Sequence, residues 1–192
     1  DQEGEGVQAV TGLRASECCG IKYFVNDEVY EPSDDTELLV SLIVVNRGEL
    51  ALEVGSGSGV ISVYLAKRGA RVIATDINPW AAVATRKTLT EANVDAEVLN
   101  CDLATCIREV QFDLAVFNPP YLPYEERKRW IDFAWNGGKS GIEEVVRFLS
   151  TVRATRYYFV YSSLSDFDSL HDFLRRNGLV VTRSKEKTIG YE

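Results

Sequence analysis

Methionine is missing from all 192 residues, position 1 included, and histidine occurs once, as His171. The missing initiator implies a start further upstream or a removed tag, so neither end is read as native. A lone histidine between Leu170 and Phe173 in a helical pattern, with no nucleophile-elbow sequence anywhere, excludes a Ser-His-Asp hydrolase. Cys18, Cys19, Cys101 and Cys106 form no Cys-x-x-Cys pair. No metal site is therefore expected, and the four are read as reduced, structural thiols. No apolar run approaches the roughly 18 residues that span a bilayer, and the first residues lack the basic start and apolar stretch of a secretory signal. These absences predict a cytoplasmic chain with no membrane span.

A surplus of positive charge is missing too. Lys and Arg total 21 against 29 Asp and Glu, a formal net charge of -8. Residues 1–37 hold 10 acids and 2 bases, which leaves 19 of each sign for residues 38–192. A neutral body favours a protein or small-molecule substrate over nucleic acid, with the run Arg127, Lys128, Arg129 as the one contrary signal.

What is present is a globular composition, 45% hydrophobic and 26% charged, in a length suited to one core. Residues 1–20 lack apolar periodicity and are predicted to be a mobile arm; 21–192 form a single domain. Strands are expected at 21–25, 50–54, 71–76, 96–100, 112–117, 157–161 and 179–183. Helices are expected at 60–68, 79–92, 142–150 and 166–177. Asp34 and Glu37 have capping-box spacing ahead of Leu38, Leu39, Leu42 and Ile43, and Gly48 would end that helix. Asn78 and Pro79 supply an N-cap and a preorganised first residue, and Gly69 a left-handed end. Regular alternation of this kind predicts an α/β fold with a mainly parallel seven-stranded sheet covered by helices on both faces.

Two segments carry chemistry. Glu53, Val54, Gly55, Ser56, Gly57, Ser58 and Gly59 lie where a buried strand turns into a helix. Glycines there let a ligand approach the backbone beside the N–H groups that open the helix. No Gly-Lys-Ser/Thr follows, which excludes a P-loop. Asp76 ends the next strand and suits ribose hydroxyls, or else a plain helix entry before Asn78. Asn118, Pro119, Pro120 and Tyr121 follow an apolar strand directly. Two prolines stop the strand and leave the Asn118 amide oxygen and the Pro119 carbonyl as fixed acceptors, suited to a planar NH2 group on which Tyr121 can stack. The 20 or so residues after Tyr121 are read as a cover over the substrate, or as a helix over 125–133 anchored by Trp130, with Trp135 as a substrate-side candidate.

At these residues the sequence resembles the class I S-adenosylmethionine-dependent methyltransferases that bear an NPPY motif. More narrowly, Tyr30 to Thr36, Glu53 to Gly59, Asp76 to Pro79, Asn118 to Tyr121 and Ala134 to Gly138 resemble the archaeal and eukaryotic branch of the HemK-like release-factor glutamine methyltransferases. The resemblance implies a Rossmann-like fold and S-adenosylmethionine as cofactor. It implies that Tyr30, Pro32, Asp35 and Thr36 fold over the cofactor. Glu53, Gly55 and Gly57 would hold the methionine end, Asp76 the ribose, and Asp102 and Leu103 the adenine, though Asp102 also suits a solvated turn; Gly59, Ile77 and Asn118 would also touch the cofactor. Asp34 stands where that motif more usually has glutamate. The resemblance further implies a last antiparallel strand, for which the chain to Glu192 leaves little room. It implies a release factor as substrate and a small zinc-binding activator protein on the edge strand running from Ala96 to Asn100. Methylation of an adenine amine or a lysine, and a non-catalytic cofactor-binding subunit, stay open as alternatives.

Overall fold

The computed structural model describes residues 12–120, 129–134 and 138–188. Its centre is a five-stranded parallel sheet of β3 (Leu50–Val54), β4 (Arg71–Asp76), β5 (Glu97–Asn100), β6 (Gln111–Phe117) and β7 (Arg153–Phe159), in the order β5-β4-β3-β6-β7. A separate antiparallel hairpin joins β1 (Arg14–Cys18) to β2 (Ile21–Val25). The helices are α1 (Asp34–Val40), α2 (Val60–Lys67), α3 (Pro79–Glu91), α4 (Glu143–Thr151) and α5 (Phe167–Arg176). None is long and apolar enough to cross a membrane.

Strands buried on both faces read as nearly continuous apolar runs. In β6, Leu114 and Val116 point to one face, with Leu39, Ile61 and Leu65 from α1 and α2. Ala115 and Phe117 point to the other, with Val145 and Phe148 of α4 and Leu170 of α5. Phe148 is fully buried and stacks between Phe117 and Tyr157 at centroid distances of 5.3 and 5.7 Å. The hairpin closes over α3, where the Phe24 N–H donates to Thr88 Oγ1 at 3.1 Å.

Several expectations need correction. Among the described residues the main sheet has five strands, not seven. Residues 21–25 pair only with β1, and 179–183 join no ladder; Val180 there is 82% exposed. Arg14–Cys18, taken as part of the mobile arm, is a strand because Gly20 at φ +70 closes a tight turn back into β2. Residues 1–11 and 189–192 lie outside the described residues. The helix after Glu31 ends at Val40, well short of Gly48. Its N-cap is Ser33, and the Asp34 carboxylate, expected to cap, instead pairs with Lys187 at 2.6 Å. Cys101 and Cys106, taken as thiols, form a disulfide. The turn in which the Thr105 N–H donates to the Asp102 carbonyl brings their Cα atoms to 6.1 Å, a span a disulfide bridges readily. Cys18 and Cys19 are free.

Candidate active site

Strand order fixes where the site lies. Chain direction across the sheet reverses between β3 and β6, and in open α/β sheets ligands bind at the carboxyl ends of the strands beside such a point. Val54 pairs with Phe117 and with Thr75, and Asp76 pairs with Asn100. Four consecutive strand ends therefore deliver the glycine-rich loop, Asn118, Asp76 and Asp102 to one rim. Together they line one cleft, with Tyr30, Pro32, Asp35 and Thr36 closing it from the α1 side.

The loop is built by its glycines. Gly55 and Gly57 hold φ of +66° and +53°, where a side chain is strained. A Cβ on Gly55 would meet the Phe117 ring at 3.2 Å, while one on Gly57 would meet nothing within 4 Å. The space beside Gly57 is room for a ligand against backbone. Asp76 is buried and divided between two duties: Oδ2 accepts from the Gly57 N–H at 2.8 Å and Oδ1 from the Asn78 N–H at 2.9 Å. The ribose reading and the helix-entry reading of Asp76 are thus physically compatible. Asn78 caps α3 by accepting from the Trp80 N–H at 2.9 Å, and Asn100 Nδ2 donates to the carbonyls of Asp76 and Ile77, fixing that corner.

Two buried carboxylates stand close together. Burial pushes the Glu53 carboxyl up to about 8, with the charge of Asp76 adding to the rise and a hydrogen bond from Ser62 Oγ opposing it. Burial likewise raises Asp76 to about 6 against the two backbone N–H groups. A site that holds acids this close to neutrality is prepared for a cationic or hydroxyl-bearing ligand that favours their ionised forms.

At the opposite wall, Asn118 Nδ2 donates to Asp35 Oδ2 at 3.1 Å. Asn118 lines the cleft, and its Oδ1 is buried and accepts no hydrogen bond among the described residues. A buried carbonyl oxygen without a donor is costly and calls for a ligand N–H. Pro119 and Pro120 continue the wall.

The expected residues Tyr30, Pro32, Asp35, Thr36, Glu53, Gly55, Gly57, Asp76, Ile77, Asp102, Leu103, Asn118, Pro119 and Pro120 all line the cleft. Gly59 does not. It is the N-cap of α2 at φ +84, and a Cβ there would meet Thr85 Cα at 2.9 Å, so its glycine serves helix packing. Tyr121 and Trp135 lie outside the described residues, as do Arg127 and Lys128. The Trp130–Ala134 segment is a short 3-10 turn rather than the end of a longer core helix, and Trp130 is 38% exposed. Arg129 Nη2 donates to Glu28 Oε1 at 2.9 Å, and the Trp130 N–H donates to Glu28 Oε2 at 3.1 Å, which pins Trp130 and Phe133 along the cleft. Sequence reasoning missed Phe133, Glu144 and Arg147. Arg147 Nη2 donates to Asp102 Oδ2 at 2.6 Å across 45 residues, a partnership no local pattern announces.

A parallel sheet with its cleft at this reversal, a glycine-rich first loop and an acid ending the second strand of the sheet core defines a Rossmann-like fold that binds a nucleoside-bearing ligand. Solved structures agree on the fold. A Thermus thermophilus 16S rRNA N2 G1207 methyltransferase superposes with a TM-score of 0.63 at 19% identity, over 87% of this chain and 46% of that longer one. A methyltransferase from Pyrococcus furiosus gives 0.60 at 19% identity, over 92% and 82%. In sequence, residues 29–132 match the methyltransferase small domain. The human protein named methyltransferase HEMK2 is 34% identical over 86% of each chain. A putative protein N5-glutamine methyltransferase of Methanocaldococcus jannaschii is 38% identical over 68% of each. The chain belongs to the methyltransferase small domain family, and S-adenosylmethionine is the methyl donor that this membership implies. The cleft fits that donor: open backbone at Gly57, a buried acid at Asp76, and an orphaned acceptor at Asn118.

Proposed function

We propose that this methyltransferase transfers a methyl group to the side-chain amide nitrogen of a glutamine in a translation release factor. The observation that carries the reading is Asn118 Oδ1, a buried acceptor with no donor among the described residues, on an amide whose NH2 is already engaged by Asp35. S-adenosylmethionine supplies an electrophilic methyl group when bound. The chain's task is to orient a planar nitrogen and accept hydrogen bonds from its two N–H groups, one of whose protons passes to solvent once the nitrogen is alkylated. Asn118 Oδ1 and the Pro119 carbonyl accept the two N–H bonds of a primary amide, which favours the positive charge that develops on nitrogen during transfer. Asp76 and Ile77 border the ribose side, Asp102 and Leu103 the adenine, and Glu53, Gly55 and Gly57 the cationic methionine end. No strong base is needed beforehand, consistent with a wall built from an amide and two prolines. The neutral body of the chain and the names of the relatives support a protein amide over an adenine amine, and a substrate of translation supports a cytoplasmic site of action.

The reading includes a partner. Among the described residues β5 and β7 are the two outer strands of the main sheet, and an outer strand offers its free backbone groups to strand addition. Arg86 Nη2 occupies the Val98 carbonyl at 2.7 Å, covering one group of β5. A small zinc-binding activator protein on the β5 edge is the partner the family resemblance supports. Labelled methyl transfer to release factor, adenine-containing oligonucleotides and histone-like peptides, run side by side with and without the activator, tests both parts. Label confined to release factor supports the substrate; label confined to oligonucleotide overturns it. An isolated monomer with full activity and no gain from the activator overturns the partner.

A further inference from the structure

The family resemblance groups Asp35 with the residues that fold over the cofactor. Its bonds point elsewhere. Asp35 is 3% exposed, and its Oδ1 accepts from the Thr36 N–H at 2.7 Å and from Ser33 Oγ at 2.8 Å. Oδ2 accepts from Tyr30 Oη at 3.0 Å and from Asn118 Nδ2 at 3.1 Å. The carboxylate is thus held by its own segment on both oxygens, and Oδ2 also reaches Asn118, 83 residues away.

An asparagine side chain has two faces of opposite polarity, and rotating it by half a turn exchanges acceptor for donors. Against a carboxylate only one orientation is favourable: NH2 toward Asp35, oxygen away from it. With the NH2 held by Asp35, the oxygen lies on the far side of the amide, buried and without a donor among the described residues, on a residue that lines the cleft. The reverse orientation would set the amide oxygen against Asp35 Oδ2, two acceptors at bonding distance, and would aim an NH2 group at an incoming substrate NH2.

We propose that Asp35 is a positioning residue that locks the Asn118 amide with its oxygen toward the substrate nitrogen, rather than a ligand of the cofactor. The inference rests on the reading of Asn118 as the acceptor for the reacting nitrogen. Replacing the carboxylate by an amide of the same shape removes the polarity that selects the orientation. Misdirection of the acceptor lowers turnover while the nucleoside end of the cleft is untouched.

The test is a double-mutant cycle of Asp35→Asn and Asn118→Ala, with kcat, substrate KM, cofactor Kd by calorimetry and melting temperature read for each protein. Asp35→Asn is expected to lower kcat on the order of 10²-fold with cofactor Kd within about twofold of the unsubstituted protein. The double variant is expected to lose no more than Asn118→Ala alone. If Asn118→Ala lowers kcat and Asp35→Asn does not, or if cofactor Kd weakens in parallel with kcat, the positioning role is overturned while the acceptor role stands. If Asn118→Ala leaves kcat intact, both fall. Should Asp35→Asn fail to fold, the Asn118 side-chain amide signals of the unsubstituted protein decide by NMR. One proton shifted downfield and protected from exchange supports the bond to Asp35, and two protons exchanging like a free amide overturn it.

Discussion

The Gly57 N–H donates to Asp76 Oδ2 at 2.8 Å, so the loop after β3 and the acid that ends β4 hold each other's shape. Removing the carboxylate removes the brace on the loop and, on the proposed reading, a ribose acceptor with it. Asp76→Ala is expected to weaken cofactor binding on the order of ten- to hundredfold, the range for hydrogen bonds to a charged group. Calorimetry with the demethylated product checks this, and an unchanged Kd would remove Asp76 from the binding site.

Glu53 and Asp76 titrate at about 8 and about 6 because burial disfavours their charges. Both bind protons more tightly in the folded chain than in the unfolded one. Their contribution to stability is therefore full at low pH, falls as pH rises from the ordinary carboxylate range, and is lost through about 8. A cationic ligand reverses the preference by favouring ionised Glu53. Cofactor affinity should rise with pH between about 6 and about 8 and then level off, with proton release on binding. Glu53→Gln should flatten the profile. An affinity independent of pH in the unsubstituted protein would contradict the pairing.

Gly59 faces Thr85 of α3 and not the cleft. Gly59→Ala combines a left-handed backbone with a Cβ at 2.9 Å from a backbone carbon, and should destabilise the fold by roughly 1–3 kcal/mol. Denaturant unfolding measures the loss. A variant of normal stability with weakened cofactor binding would restore Gly59 to the binding loop.

The Arg129 to Glu28 clasp is half exposed, and an ion pair of that kind adds only about 0–1 kcal/mol to stability. Its effect should be on the substrate wall. Arg129→Ala should raise the substrate KM severalfold with little change in melting temperature or cofactor Kd. Equal losses in all three would mean that the clasp supports the whole domain.

The strands beneath the cleft are legible because β3, β4 and β6 are largely buried, so their apolar runs are nearly continuous and their ends marked by Gly55, Asp76 and Asn118. Strand β7 begins four residues earlier than its apolar pattern, since its first residues include Arg153 paired with Glu109 and Arg156 paired with Glu49. The cap at Ser33 is illegible because Asp34 caps as well as Ser does, and what draws it away is Lys187, a partner 153 residues distant. Arg147 beside Asp102 and Glu28 beside Arg129 join segments far apart in sequence, and no local periodicity encodes such pairs. The Cys101 to Cys106 bridge depends on the turn between them rather than on any Cys-x-x-Cys spacing.

The central claim is that Asn118 presents an acceptor to a glutamine side-chain nitrogen. Peptide fragmentation by mass spectrometry after methyl transfer to release factor, with the unsubstituted protein and Asn118→Ala compared, tests it most directly. The account predicts one added methyl group on a glutamine side chain, and a loss on the order of 10²-fold in its rate of formation for Asn118→Ala with cofactor affinity retained. Methyl found on lysine or on an adenine base instead, or formed on glutamine at an undiminished rate by Asn118→Ala, would contradict it.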